Sequence, residues 1–203
     1  ATVTEAIDRL HTTAESHHRI IVVEVMGRNV GWIAVTAGIA GGADEILIPE
    51  QHFSIDGVCK KLKARYDAGK KFSIVVIAEG AQAKDLGVSS VPENERDECG
   101  HEKFVGVGNI LGKELERRMG IETRVTILGH VQRGGSPTAY DRVLATRFGV
   151  AAVQLVFTGD FGKMVALQGN RITSIPLETA VNQIKTVDDD FYELAMTVIG
   201  GQR

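Results

Sequence analysis

No stretch of this 203-residue chain approaches the ~18 consecutive apolar residues of a membrane span, which excludes a transmembrane helix. The opening Ala1-Thr2-Val3-Thr4-Glu5-Ala6 lacks the basic and apolar regions of a secretory signal. Positive charge is in no excess: 23 Lys and Arg against 26 Asp and Glu give a formal net charge of −3. Nothing therefore draws the whole chain to nucleic acid or to a membrane surface, and any anion site must be local. Cys59 and Cys99 are the only cysteines, without CxxC or metal-ligand spacing, as fits a reducing cytoplasm. Cys59 falls in an amphipathic helical pattern and reads as a packed thiol, whereas Cys99 lies in a charged loop. There is no GxxxxGK[ST] and hence no P-loop, and Gly106-Val107-Gly108 lacks the third glycine of a dinucleotide fingerprint. His17 and His18 have no third ligand at sensible spacing, so no metal site is expected.

What is present is an ordinary globular composition, 43% hydrophobic and 24% charged, organised as a β–α alternation. Apolar, β-branched runs at Arg19 to Val25, Glu45 to Ile48, Phe72 to Ala78 and Thr123 to Leu128 are near-continuous, as strands buried on both faces are. Helical patterns at Val3 to Glu15, Val30 to Ala40, Ile55 to Asp67 and Phe104 to Met119 separate them. The expected fold class is α/β, a parallel sheet with helices on both faces. A polar excursion, Gln82 to Lys103, interrupts the pattern. A long helix to about Phe157 follows Ser136, read as its N-cap, with Pro137 as first helical residue. Lys163 to Leu167 and Arg171 to Ile175 flank Gln168-Gly169-Asn170 as a hairpin, and a helix at Leu177 to Thr186 and a mixed tail finish the chain. The hairpin suggests a chain that leaves one lobe near Gln132 and returns near Leu177, giving segments 1–131, 132–176 and 177–203.

The most informative stretch is Leu128-Gly129-His130-Val131-Gln132-Arg133-Gly134-Gly135-Ser136-Pro137. A buried strand that delivers His130 and Arg133 to its carboxyl edge builds an anion site where open α/β sheets bind ligands. The competing interpretation is a well-capped turn with two incidental cations. Met26-Gly27-Arg28 ends another strand, so Arg28 is either a loop arginine or a cation aimed at phosphate. Met26 is core or an adaptable apolar wall under a sugar ring. Glu79-Gly80 ends a third strand, where the carboxylate accepts from a polyol or pairs with a nearby base. Arg19 and Arg124 stand at the amino ends of two strands, opposite this site: they are either solvated strand-start arginines or cations that reach the site of a neighbouring subunit.

Glu24-Val25-Met26-Gly27-Arg28, Ala78-Glu79-Gly80 and the run Leu128 to Arg142 together resemble the carboxyl-terminal half of bacterial 6-phosphofructokinases, with an excursion after Glu79 like that of actinobacterial members. The run Glu5-Ala6-Ile7-Asp8-Arg9-Leu10 is similar to the helix after that family's catalytic loop. The resemblance implies that Met26, Gly27 and Glu79 contact fructose 6-phosphate and that Arg28 approaches both the sugar and the transferring phosphoryl group. His130 and Arg133 would hold the 6-phosphate from this chain, and Arg19 and Arg124 from a neighbour in a dimer or tetramer. It places the glycine-rich nucleotide loop and the aspartate-bearing catalytic loop, and with them the ATP (or pyrophosphate) and Mg2+ sites, upstream of Ala1. The 203 residues alone are then expected to be inactive, with 132–176 packing into that absent nucleotide-binding half. Asp44, Lys70 and Lys71 match the family's allosteric effector pocket, although two of its basic positions are His11 and Ala68 here, and Asn29 stands where His is frequent. The resemblance implies glycolytic phosphoryl transfer to the 1-hydroxyl of fructose 6-phosphate, with a non-catalytic phosphosugar-binding half as the alternative.

Overall fold

The computed structural model describes residues 1–85 and 106–201. The acidic cluster at Glu93 to Glu98 and Cys99 lie outside the described residues. Residues 1–134 with 186–203 form one compact unit and residues 135–185 a second.

In the first unit, β1 (Ile20–Val25), β2 (Glu45–Leu47), β3 (Ser73–Ala78) and β4 (Thr123–Ile127) form a parallel sheet in the order β2-β3-β1-β4. Because side chains alternate across a strand, each strand feeds two cores. Ile21, Val23 and Val25 pack with α1 (Thr2–His17) and α2 (Trp32–Ala40); Ile20 and Val22 pack with α3 (Ile55–Asp67) and α4 (Val107–Met119). Helices thus cover both faces, as the alternation predicts. Strands β1, β2 and β3 are buried throughout. The fourth, at the edge opposite β2, is half exposed.

The tail is not mixed. It forms α7 (Asp189–Gly201), whose Ala195 is fully buried in the core with α1 and α2. Asp188 starts it by accepting the N–H of Phe191 at 2.9 Å, and Asp189 and Asp190 favour the positive end of the helix.

The second unit holds α5 (Ala139–Phe157), a hairpin of β5 (Lys163–Gln168) and β6 (Arg171–Pro176), and α6 (Leu177–Val181), which stops short of the expected Thr186. Helix α5 is capped by Thr138, not Ser136. The Thr138 hydroxyl accepts the Asp141 N–H at 3.2 Å while the Asp141 carboxylate accepts the Thr138 N–H at 2.8 Å. That reciprocal box satisfies two end groups at once and outcompetes a lone serine. Tyr140, Val143, Val150, Val153, Val156 and Phe157 on α5 are all exposed.

Candidate functional site

Strand register puts the ends of β3, β1 and β4 side by side. Val25 lies opposite Ala78, and Glu24 opposite Ile127, so the residues that follow each strand emerge together at one edge. From β1 come Met26, Gly27 and Arg28; from β3, Glu79; from β4, the 3-10 helix Gly129–Arg133 bearing His130 and Arg133. This is the carboxyl edge, where parallel sheets expose unpaired groups to a ligand.

The Arg28 loop is held by specific contacts. The Glu79 carboxylate accepts the N–H of Arg28 at 2.9 Å and of Gly27 at 3.3 Å, and the Glu79 N–H donates to the Val25 carbonyl at 2.9 Å. Arg28 itself is left-handed at φ 50°, a conformation that non-glycine residues seldom adopt. Gly80 makes room for it: a Cβ there would lie 2.0 Å from the Arg28 carbonyl oxygen. Arg28, His130 and Arg133 are exposed, while Met26 and Glu79 are half-buried. The arrangement sets cations and a fixed carboxylate at one rim, suited to an anionic polyol.

Three glutamine and glutamate residues escaped the sequence reading. Gln132 accepts the Met26 N–H at 3.2 Å and donates to the Gly129 carbonyl at 3.1 Å, joining the β1 loop to the 3-10 helix. Glu24, buried in β1, accepts the Gly108 N–H at 2.7 Å and anchors the start of α4. Burial pushes its carboxyl above the ordinary carboxylate range against that hydrogen bond, and the negative Glu79 adds to the rise. A charged residue inside an apolar strand was the available signal. Glu50 accepts the N–H groups of Gly31 and Val187, each at 3.0 Å.

Arg19 and Arg124 lie at the opposite edge. Six residues of strand separate Ile20 from Met26, roughly 20 Å at ~3.3 Å per residue. There both converge on Glu122: Arg19 Nε donates to Oε2 at 2.7 Å and Arg124 Nη2 to Oε1 at 2.5 Å. The expected effector residues are split. Asp44 is buried, ion-paired with Arg65, and accepts the Ile74 N–H at 2.8 Å. Burial raises its pKa, opposed by that hydrogen bond and by the charges of Arg65, His11 and Lys70. Lys71 instead sits over the Tyr66 ring, 4.0 Å from its centre.

Among the described residues no group of three or more His, Cys, Asp or Glu could hold a metal ion, and no helix is long and apolar enough to cross a membrane. Among the described residues, side chains alone therefore form no Mg2+ centre.

Residues 1–156 match the phosphofructokinase family. The chain is 54% identical over 196 residues to "ATP-dependent 6-phosphofructokinase 3" of Streptomyces coelicolor, covering 97% of this chain and 57% of that protein. It is 55% identical over 190 residues to the "Pyrophosphate--fructose 6-phosphate 1-phosphotransferase" of the same organism, covering 94% and 55%. Among solved structures, phosphofructokinase from Saccharomyces cerevisiae superposes with a TM-score of 0.74 at 38% identity over 99% of this chain and 24% of that one. The chain spans little more than half the length of the curated relatives it matches. With a family match over most of its length and relatives more than half identical across it, the chain belongs to the phosphofructokinase family.

Proposed function

We propose that this chain is the sugar-phosphate half of a 6-phosphofructokinase that passes the γ-phosphoryl group of ATP to the 1-hydroxyl of fructose 6-phosphate. One observation carries this reading. The Arg28 loop, the Glu79 carboxylate and the His130–Arg133 turn meet at the ends of three adjacent parallel strands. In this reading Met26, Gly27 and Glu79 contact the sugar, His130 and Arg133 bind its 6-phosphate, and Arg28 spans the sugar and the transferring group as the catalytic cation. Phosphoryl transfer depends mainly on positioning and on offsetting charge at the equatorial oxygens, which is what such a rim supplies. ATP and Mg2+ are assigned to an amino-terminal half, against which residues 132–176 and their exposed apolar α5 face would pack. Arg19 and Arg124 would serve a neighbouring subunit's 6-phosphate in a cytoplasmic homodimer or homotetramer. Asp44, Lys70 and Lys71 would form an allosteric effector pocket.

A second reading has pyrophosphate as donor, because the chain is as similar to the pyrophosphate-named relative, 55% identical, as to the ATP-named one, 54% identical. Titration calorimetry on the 203-residue chain tests the sugar-phosphate assignment. Fructose 6-phosphate should bind at least about tenfold more tightly than fructose, since the Arg133 guanidinium and the His130 ring meet the phosphate, and Arg133→Ala should remove that preference. Equal binding of the two sugars would refute the assignment. Kinase assays of the longer protein with ATP and with pyrophosphate then decide the donor.

A further inference from the structure

Glu50 follows β2 and touches none of the residues assigned to sugar or phosphate, yet its carboxylate ties the Arg28 loop to the returning carboxyl-terminal segment. Oε1 accepts two main-chain N–H groups from distant parts of the chain, Gly31 and Val187, each at 3.0 Å. Oε2 is buried and has no hydrogen-bond partner among the described residues. Gly31 is the residue from which α2 starts, three positions after Arg28. A Cβ at Gly31 would meet the Ile48 side chain at 2.4 Å and Glu50 Oε2 at 3.0 Å, so the loop rests directly on this carboxylate. A second tie runs beside the first, with Trp32 stacked on Phe191 of α7 at 5.8 Å and 26°.

The loop is therefore held at both ends by acceptors. Glu79 holds Gly27 and Arg28 in front, and Glu50 holds Gly31 behind. The residue between them, Arg28, is in a left-handed conformation that must be imposed by its surroundings. Glu50 thus joins the start of α2, and with it the Arg28 loop, to the carboxyl-terminal segment.

We propose that Glu50 is a positioning residue that sets Arg28 relative to the sugar held by Glu79, His130 and Arg133. The inference rests on the phosphofructokinase reading above. Its consequence is a larger effect on turnover than on affinity: the 6-phosphate contacts of His130 and Arg133 sit on a separate segment and Glu79 still holds Gly27 and Arg28, so losing Glu50 should chiefly shift Arg28 relative to the transferring group.

The test uses the longer protein, with its amino-terminal half, carrying Glu50→Gln, Glu50→Asp or Glu50→Leu. Aspartate is one methylene shorter and cannot reach both N–H groups; glutamine retains the Oε1 acceptor. Glu50→Asp and Glu50→Leu should lower kcat per folded site by about tenfold or more, with KM for fructose 6-phosphate changed by less than about threefold. Glu50→Gln should restore most of the turnover. Wild-type kcat per folded site in Glu50→Asp, or a rise in KM with kcat unchanged, overturns the proposal. Should Glu50→Leu not fold, the Asp and Gln variants decide. A wild-type protein inactive with both donors overturns the phosphofructokinase reading and this one with it, whereas an active wild type with an unaltered Asp variant overturns this one alone.

Discussion

The Glu79 carboxylate accepts the main-chain N–H of Arg28 at 2.9 Å across 51 positions of sequence. The group proposed to bind the sugar therefore also shapes the loop that presents the proposed phosphoryl-binding cation. Removing it should affect both.

Glu79→Ala deletes an acceptor serving two N–H groups, and hydrogen bonds to a charged acceptor contribute about 1.5–3 kcal/mol each. Fructose 6-phosphate affinity should fall by at least about tenfold by calorimetry. Glu79→Gln keeps one acceptor and should fall between the two. An unchanged affinity in Glu79→Ala would remove Glu79 from the site.

Two glycines make a matched pair. At Gly80 a Cβ would lie 2.0 Å from the Arg28 carbonyl oxygen, whereas at Gly149 in α5 it meets open space. Gly80→Ala must displace backbone and should lose about 2 kcal/mol or more of stability. Gly149→Ala gains helix propensity and should stabilise its own unit by up to about 1 kcal/mol. Thermal denaturation of each variant checks both signs.

Glu24 links stability to pH. Burial, with some help from Glu79, raises its folded-state pKa, so the folded protein holds that proton more tightly than the unfolded chain does. The resulting stabilisation is complete below the ordinary carboxylate range and is lost as pH rises through the folded value. Glu24→Gln has no charge to bury and still accepts from Gly108. Its melting temperature relative to wild type should therefore rise as pH increases from below the ordinary carboxylate range through the raised folded value. Asp44 and Glu45 shift the same way but remain in both proteins, so the difference isolates Glu24. A constant difference across that range would show that Glu24 is not the group responsible.

Arg19 and Arg124 share Glu122 at the edge remote from Arg28. If they serve a neighbouring subunit, Arg124→Ala should weaken fructose 6-phosphate binding only under conditions where the protein associates. Calorimetry at two protein concentrations, with sedimentation to establish the species present, separates this from a direct effect within one chain. Equal weakening in the monomer would exclude the shared site.

Much of this was legible in the residues. Continuous β-branched runs split by helical periodicity identify a parallel sheet, because only strands covered on both faces read that way. The site segments were legible for the same reason: glycine after an apolar run, followed by Arg28 or preceded by Glu79, marks a strand end whose backbone must turn closely. The start of α5 was misassigned although its signal was present, since Thr138 and Asp141 carry the reciprocal box that Ser136 lacks. Helix α7 was missed although Phe191, Ala195 and Ile199 recur at helical spacing, because the surface they pack on, α2 and β2, is brought to them only by the fold.

The amino-acid sequence by itself determined the α/β class, the strand ends and the residue types that gather there, because these follow from local periodicity and turn chemistry. Only the tertiary structure decided that Gln132 bridges Met26 to the His130 turn, that Glu122 gathers Arg19 and Arg124, and that Glu50 joins Gly31 to Val187. Apart from the local Glu122–Arg124 pair, each of these is a contact between segments far apart in the chain. A polar side chain's partner is set by strand order and register, which no local pattern encodes.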